Sequence, residues 1–143
     1  MVQIERSALV LCSAEQMFQL VNDVANYPKF VQGVISTEIF EQNDQFMRAS
    51  MTLRRAGVET RFITRNELVS SKSISMNLES GPFKALKGDW TFEPVGDIGS
   101  KVSLDLRFEP EHKLVGTLIA AMMSHIGGQL VDDFCKQAEK RYG

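Results

Sequence analysis

The sequence has few of the residues that usually carry catalysis, redox chemistry or metal binding. Its 143 residues include two cysteines, two histidines and one tryptophan. Cys12 and Cys135 form neither a C-x-x-C pair nor a spacing typical of metal ligands, which argues against a zinc site. Two such isolated cysteines are more typical of free buried thiols in a reducing compartment than of a disulfide.

The sequence also lacks a long uninterrupted apolar run. Glu5 and Arg6 interrupt the first apolar stretch, so the N-terminus does not have the apolar core of a signal peptide. No run reaches the roughly 18 consecutive apolar residues that span a bilayer. We therefore expect a cytoplasmic protein.

Charge of one sign is not in excess either. Lys and Arg total 16 and Asp and Glu total 18, which gives a formal net charge of -2. A composition of this kind does not indicate DNA binding, and any contact with RNA requires a local basic patch.

Motifs for catalysis are absent as well. The sequence contains no G-x-S-x-G, no P-loop and no dinucleotide-binding fingerprint. Ser124 and His125 are adjacent on a predicted helix, so their side chains diverge and cannot form a nucleophile–base pair. We expect His125 to be a hydrogen-bonded core residue and Asp132 and Asp133 to lie on the polar helix face. The sequence predicts a protein without catalytic residues, metal or required cofactor, and hence not an enzyme.

Hydrophobic periodicity defines the order of the elements. Residues 102–108 alternate between apolar and polar, and a period of 3.6 then holds from about residue 113 to residue 142. Further alternation predicts strands at residues 2–11, 34–41, 45–54, 58–69, 74–78 and 84–94. Ser13 and Gln16 form a capping box that opens one short helix, and Pro28 begins a second.

This order predicts an α+β helix-grip fold in a single domain, residues 1–143. A curved antiparallel sheet of about seven strands wraps around a long C-terminal helix, with two short helices after the first strand. Gly127 and Gly128 interrupt the long helix and indicate a bend or a close approach of its backbone to the sheet. The predicted buried stripe of this helix repeats every four residues, and further apolar residues widen it in the first half. The repeat consists of Leu114, Leu118, Met122, Ile126, Leu130, Phe134, Ala138 and Tyr142, and the widening residues are Val115, Ile119 and Met123.

A set of short motifs covers nearly the whole chain. They are residues 7–10, residues 13–24, Tyr27-Pro28-Lys29-Phe30-Val31, Ala56-Gly57, residues 64–66 and residues 81–90. Together they resemble the START-like proteins grouped with polyketide cyclases, among them the coenzyme Q-binding START-domain proteins and the bacterial ribosome association toxins. The resemblance implies two roles. One is binding of ubiquinone or a similar polyprenyl lipid between sheet and helix, and the other is binding of the large ribosomal subunit.

The core-facing apolar residues form a candidate ligand cavity, with ordinary core packing as the alternative for each. Methionine suits a pocket that adapts to a flexible isoprenoid tail, because its thioether is unbranched and polarizable. Tyr27 and Phe30 are expected near the entrance, where an aromatic ring with a polar group can meet a quinone head. The candidate cavity residues are Tyr27, Phe30, Met51, Phe62, Met76, Trp90, Phe92, Leu104, Leu106, Phe108, Leu118, Met122 and Ile126.

Basic residues concentrate on neighbouring predicted strands, and an ordinary solvated sheet face is the alternative interpretation. Arginine offers bidentate contacts to phosphate, so this cluster is the candidate surface for ribosomal RNA. Recognition there is expected to depend on shape and phosphates rather than on base sequence. The candidate residues are Arg48, Arg54, Arg55, Arg61, Arg65, Lys84 and Lys87.

Two functions follow from the resemblance and these candidate surfaces. The first is a non-enzymatic protein that binds the large ribosomal subunit, blocks subunit association and inhibits translation. The alternative is a ubiquinone-binding chaperone of respiratory electron transport, with transient membrane contact as a further expectation. Chemistry of the polyketide-cyclase type is the alternative that the fold alone suggests.

Overall fold

Seven antiparallel strands curve around one long helix in the computed structural model, which describes residues 1–111 and 113–143, Lys113 by its main chain only. The strands are β1 (Val2–Val10), β2 (Val34–Gln42), β3 (Phe46–Arg55), β4 (Val58–Val69), β5 (Ser73–Ser80), β6 (Phe83–Val95) and β7 (Gly99–Pro110). The helices are α1 (Ala14–Val21), α2 (Tyr27–Phe30) and α3 (Lys113–Tyr142). The predicted helix-grip fold and its element order are confirmed.

The strand order of the sheet is β1-β7-β6-β5-β4-β3-β2. Every neighbouring pair after the first is a hairpin between consecutive strands, and β1 pairs with β7 from the other end of the sequence. Bulges interrupt the β2–β3, β4–β5 and β6–β7 ladders. Because an extra residue bends its strand, these bulges help to curve the sheet around α3.

Local sequence signals position the ends of several elements. The Ser13 hydroxyl accepts from the Gln16 amide, and the Gln16 side chain accepts from the Ser13 amide, so the predicted capping box is present. The β3–β4 hairpin turns through Ala56 and Gly57, with φ of 52° and 81°. Positive φ at both central residues is typical of the type I′ turn that connects twisted strands.

The buried face of α3 differs from the predicted stripe. Leu114, Val115 and Leu118 are 88%, 55% and 56% exposed, whereas Ile119 and Met123 are buried as predicted. A spacing of four residues advances by about 40° beyond a full turn at each step, so a strict repeat of four drifts around a straight helix. The buried side chains of α3 are Ile119, Met122, Met123, Ile126, Val131, Asp133, Phe134 and Ala138.

By length and composition, the α3 segment from Leu114 to Tyr142 is apolar enough to cross a membrane, and 39% of its most apolar window is buried against the rest of the chain. The segment contains no long uninterrupted apolar run, because Gly, Ser, Thr, His and Gln are interspersed among its apolar residues. In this fold the segment lies along the concave face of the sheet.

The glycine pair of α3 marks a close approach to the sheet. A Cβ atom on Gly127 would lie 3.0 Å from both Ile4 Cδ1 and Leu106 Cδ2. A Cβ on Gly128 would meet only Arg6 Nη2, at 3.6 Å, which is ordinary van der Waals distance. Only the first glycine is therefore required for packing.

We predict that Gly127→Val destabilises the fold by about 1–3 kcal/mol, because the added methyl groups overpack a filled contact. The matched variant Gly128→Ala should gain up to about 1 kcal/mol from helix propensity. Urea unfolding followed by circular dichroism measures both changes. Equal free energies of unfolding for the two variants would show that the helix does not approach the sheet as described.

Candidate functional site

A cavity of about 70 Å³ lies between the concave face of the sheet and α3. Its wall comes from the α1–α2 region, from strands β2 to β7 and from the middle of α3. The lining residues are Val24, Tyr27, Val34, Ala49, Ser50, Met51, Leu53, Phe62, Thr64, Asn66, Met76, Leu86, Trp90, Leu106, Met123, Ile126, Gly127, Leu130 and Phe134. None of these side chains carries a formal charge, so the cavity favours neutral contents.

The structure brings part of the predicted cavity set together. The predicted residues that line the cavity are Tyr27, Met51, Phe62, Met76, Trp90, Leu106 and Ile126. Phe92, Leu104, Phe108 and Met122 are buried in the surrounding core, and Phe30 packs against that core while partly exposed. Leu118 lies on the outer face of α3, away from the cavity, because the buried face of the helix follows 3.6 residues per turn rather than four.

Aromatic rings close one end of the cavity. Tyr27 and Trp90 each pack edge-to-face on Phe134, with ring centroids 5.3 Å apart in both pairs. The Tyr27 hydroxyl donates to the Val21 carbonyl oxygen, and burial raises the pKa of this phenol above its ordinary value. The Tyr27 hydroxyl proton is therefore engaged by the main chain, so only the hydroxyl oxygen is left to accept a hydrogen bond from a ligand head.

The segment between α2 and β2 packs against α3 beside the cavity. Gly33 has φ of +91°, and a Cβ on it would lie 2.5 Å from Ile126 Cδ1. One residue earlier, the Gln32 amide donates to Asp133 Oδ2 at 3.2 Å. A buried carboxylate on α3 thus holds the segment that follows the Tyr-Pro-x-Phe motif.

Two polar residues in the cavity wall were missed by the sequence prediction. Thr64 and Asn66 are buried, and the Thr64 hydroxyl donates to Asn66 Oδ1 at 2.9 Å. The alternation of β4 contains the signal: Phe62 is a predicted cavity residue, and extending the period of two from it assigns Thr64 and Asn66 to the same face. Thr64 and Asn66 are absent from the predicted cavity set because that set consists of apolar and aromatic residues.

The basic cluster lies largely on the outer face of the sheet, but carboxylates pair with four of its members. The pairs are Arg48–Glu79 at 2.6 Å, Arg54–Glu59 at 2.5 Å, Arg65–Glu67 at 2.9 Å and Arg61–Glu38 at 4.0 Å. Lys87 contacts Ser75 and Asn77. Among the residues that the structure describes, no carboxylate pairs with Arg55, Lys84 or Lys87, and Arg55 and Lys84 have no hydrogen-bonded side-chain partner either.

The chemically reactive side chains do not converge. His125 is exposed, contrary to the expected core position, because it lies on the outer face of α3. Asp133 is buried, whereas its neighbour Asp132 is exposed, so the two do not share the polar face. Cys12 and Cys135 are free thiols. In the described part of the chain, no group of three His, Cys, Asp or Glu residues is placed to hold a metal ion.

The cavity is small for a lipid. A volume of about 70 Å³ exceeds the space for one water, about 10–15 Å³, but it is far below the roughly 300–1,000 Å³ of ligand pockets. Met51, Met76 and Met123 lie in its wall. Because methionine side chains change rotamer readily, they are the groups whose movement would enlarge the cavity.

We predict that Asp133→Asn stabilises the fold at pH 7 and that this gain disappears below about pH 4. Burial raises the pKa of Asp133 above its ordinary value, although the Gln32 amide and Lys136 oppose that shift. The contribution of the Asp133 carboxyl group to the free energy of unfolding is thus largest below its unfolded-state pKa and decreases as the pH rises through its folded-state pKa. Asparagine retains an acceptor for Gln32 without the buried charge.

Thermal unfolding at pH 4 and pH 7 measures this effect. Asp132→Asn is the matched control, since it removes an exposed charge from the neighbouring position. A stabilisation by Asp133→Asn of the same size at both pH values would contradict the assigned role of burial.

Comparison with known proteins identifies relatives of the whole chain. A family model described as polyketide cyclase/dehydrase and lipid transport matches residues 10–135. The ribosome association toxin RatA of Vibrio cholerae is 41% identical over 143 residues, covering 100% of this chain and 99% of that protein. The mitochondrial coenzyme Q-binding protein COQ10 of Drosophila melanogaster is 24% identical, covering 96% of this chain and 55% of its own length.

A solved structure supports the same grouping at the level of the fold. The Zhui aromatase/cyclase of a Streptomyces species superposes with a TM-score of 0.87 at 15% identity, covering 99% of this chain and 96% of that one. The chain belongs to the polyketide cyclase/dehydrase and lipid transport family and, within it, to the group of proteins named ribosome association toxin RatA.

Proposed function

We propose that this protein binds the large ribosomal subunit and prevents its association with the small subunit, which inhibits translation. The observation that carries the proposal is the 41% identity, over the full 143 residues, to a protein named ribosome association toxin RatA. Similarity at this level along the whole chain supports a shared role more strongly than a shared fold does.

The surface that we assign to the ribosome is centred on Arg55 and Lys84. Arg55 ends β3 at its hairpin, and Lys84 is the second residue of β6. Both are exposed, and neither has a carboxylate partner among the described residues, so both are available to phosphate oxygens. The paired arginines nearby contribute less, because a phosphate must first displace Glu59, Glu67 or Glu79.

Binding of a neutral lipid such as ubiquinone is the second candidate function. It is supported by the uncharged cavity with three methionines and by the relative named coenzyme Q-binding protein. Uptake of such a lipid requires transient contact with a membrane, while the ribosomal role places the protein in the cytoplasm. The lipid would be a bound ligand rather than a required cofactor.

We further propose that the protein acts by binding and not by catalysis. Among the described residues that line the cavity there is no histidine, cysteine or acidic side chain that could transfer a proton or attack a substrate. The Zhui structure is named an aromatase/cyclase, but at 15% identity the similarity supports a shared fold and not a shared activity.

We predict that Arg55→Glu combined with Lys84→Glu weakens binding to the large subunit by at least about tenfold. Each charge-assisted contact contributes roughly 1.5–3 kcal/mol, and reversal removes two of them. Sedimentation of purified subunits with added protein measures both bound protein and the fraction of associated ribosomes. The double variant should restore association.

The matched control is Lys101→Glu with Lys140→Glu, which reverses two exposed charges on β7 and near the end of α3. The control should sediment with the large subunit as the unaltered protein does. If the unaltered protein stays at the top of the gradient while the subunits associate normally, the ribosomal proposal is wrong. If both double variants weaken binding equally, the assigned surface is wrong.

We predict that a short-tailed ubiquinone quenches the fluorescence of Trp90 in a saturable manner. This is the one tryptophan of the sequence, and its ring lies in the cavity wall, so quenching reports on the cavity. The free amino-acid derivative N-acetyltryptophanamide, under the same titration, corrects for collisional quenching. A linear response equal to that of the free derivative would exclude the lipid-binding candidate.

A further inference from the structure

We propose that Thr64 and Asn66 of β4 form a recognition site for the carbonyl oxygen of a neutral ring, such as a quinone, inside the cavity. The inference rests on the lipid-binding candidate above and adds to it the part of the ligand that is recognised. Nothing in the family resemblance or in the relatives' names assigns these two residues.

The two side chains are buried in the middle of an apolar surface. Asn66 is 5% exposed and Thr64 is 7% exposed, and both line the cavity. Across the ladder, Asn66 is opposite Met47 on β3 and Met76 on β5, while Thr64 is opposite Ala49. Polar groups are costly in such surroundings unless they find hydrogen-bond partners.

The hydrogen bond between the two residues fixes which group is offered to the cavity. Thr64 Oγ1 donates to Asn66 Oδ1 at 2.9 Å, so the amide oxygen is engaged. No acceptor for Asn66 Nδ2 is found in the part of the chain that the structure describes. The pair therefore presents an oriented N–H donor that is complementary to a carbonyl oxygen.

The rest of the wall selects a ligand without charge. A carboxylate or a phosphate placed beside Asn66 would be buried without a cation, because none of the lining residues is charged. A ligand without any acceptor would leave the amide donor unpaired. A neutral carbonyl on an apolar ring satisfies both conditions, which is why we choose this class over fatty acids and phospholipids.

The room for such a ring comes from the methionine beside the site. Met76 is the cross-strand neighbour of Asn66, and its Cε lies 2.3 Å from where a Cβ on Gly88 would be. The absence of a side chain at Gly88 lets the Met76 side chain lie across β6. Rotation of Met76 would uncover Asn66 and enlarge the cavity next to the donor.

The test compares two ligands of similar size, a short-tailed ubiquinone and an alkylbenzene without carbonyl groups, by quenching or shift of the Trp90 emission. Asn66→Leu keeps the approximate side-chain size and removes the donor. We expect it to weaken ubiquinone binding by about tenfold or more, while the alkylbenzene binds at least as well as before. Leu118→Ala, on the outer face of α3, should change neither affinity.

The outcomes separate this inference from the function on which it rests. If the unaltered protein binds neither ligand, lipid binding fails and the site with it. If it binds ubiquinone and Asn66→Leu binds it equally well, lipid binding stands and the assigned site is wrong, the amide then being satisfied by ordered water. If Asn66→Leu does not fold, Thr64→Val decides: loss of the orienting hydroxyl should lower ubiquinone affinity selectively, and unchanged selectivity overturns the site.

Discussion

The contact between Gly127 and the sheet is the constraint on which the other features depend. Because this residue has no side chain, the α3 backbone closely approaches Ile4 of β1 and Leu106 of β7, on the β1–β7 side of the concave face. On the C-terminal side of this contact, Phe134 reaches the rings of Tyr27 and Trp90. On the N-terminal side Met123 and Ile119 remain buried, and the helix becomes exposed only towards its start, at Leu114. One close contact thus sets the height of the helix above the sheet, and the remaining gap is the cavity.

The cavity and the ion pairs of the outer sheet face use opposite surfaces of β3 and β4. Residues of β3 and β4 that point inward line the cavity, and their immediate neighbours in sequence point outward and carry the ion pairs. This follows from the period of two in a strand. The proposed lipid site is therefore separate from the ion-paired face of these strands. The segment from Val31 to Gly33, which Asp133 holds through the Gln32 amide, packs at Gly33 against the cavity-lining Ile126.

Local signals in the sequence were sufficient to predict the strands and helices and their order along the chain. Alternation located the strands to within a few residues, and the Ser13–Gln16 capping box located α1, because both depend on nearest neighbours along the chain. The buried face of α3 was placed wrongly at Leu114 and Leu118, since a sheet of finite length decides which turns it covers. Neutralisation of the arginines depends on cross-strand pairs such as Arg48–Glu79, which lie 31 residues apart. Asn66 was missed for a different reason: composition alone does not distinguish a polar residue facing a cavity from one facing water.

The strand order has a consequence for how fast the cavity can exchange its contents. Because β1 and β2 are the two edges of the sheet and do not pair with each other, the sheet is an open half-barrel. Its volume can change through rotation of methionine side chains without breaking a hydrogen bond of any strand ladder. Displacement of the α2–β2 segment breaks only the bonds that hold it, from the Arg54 amide to the Gly33 carbonyl oxygen at 2.8 Å and from the Gln32 amide to Asp133 at 3.2 Å. Side-chain and loop motions of this kind take nanoseconds to microseconds, whereas local unfolding takes microseconds to seconds. Exchange should therefore be much faster than opening of the fold and should show little of the steep temperature dependence of unfolding.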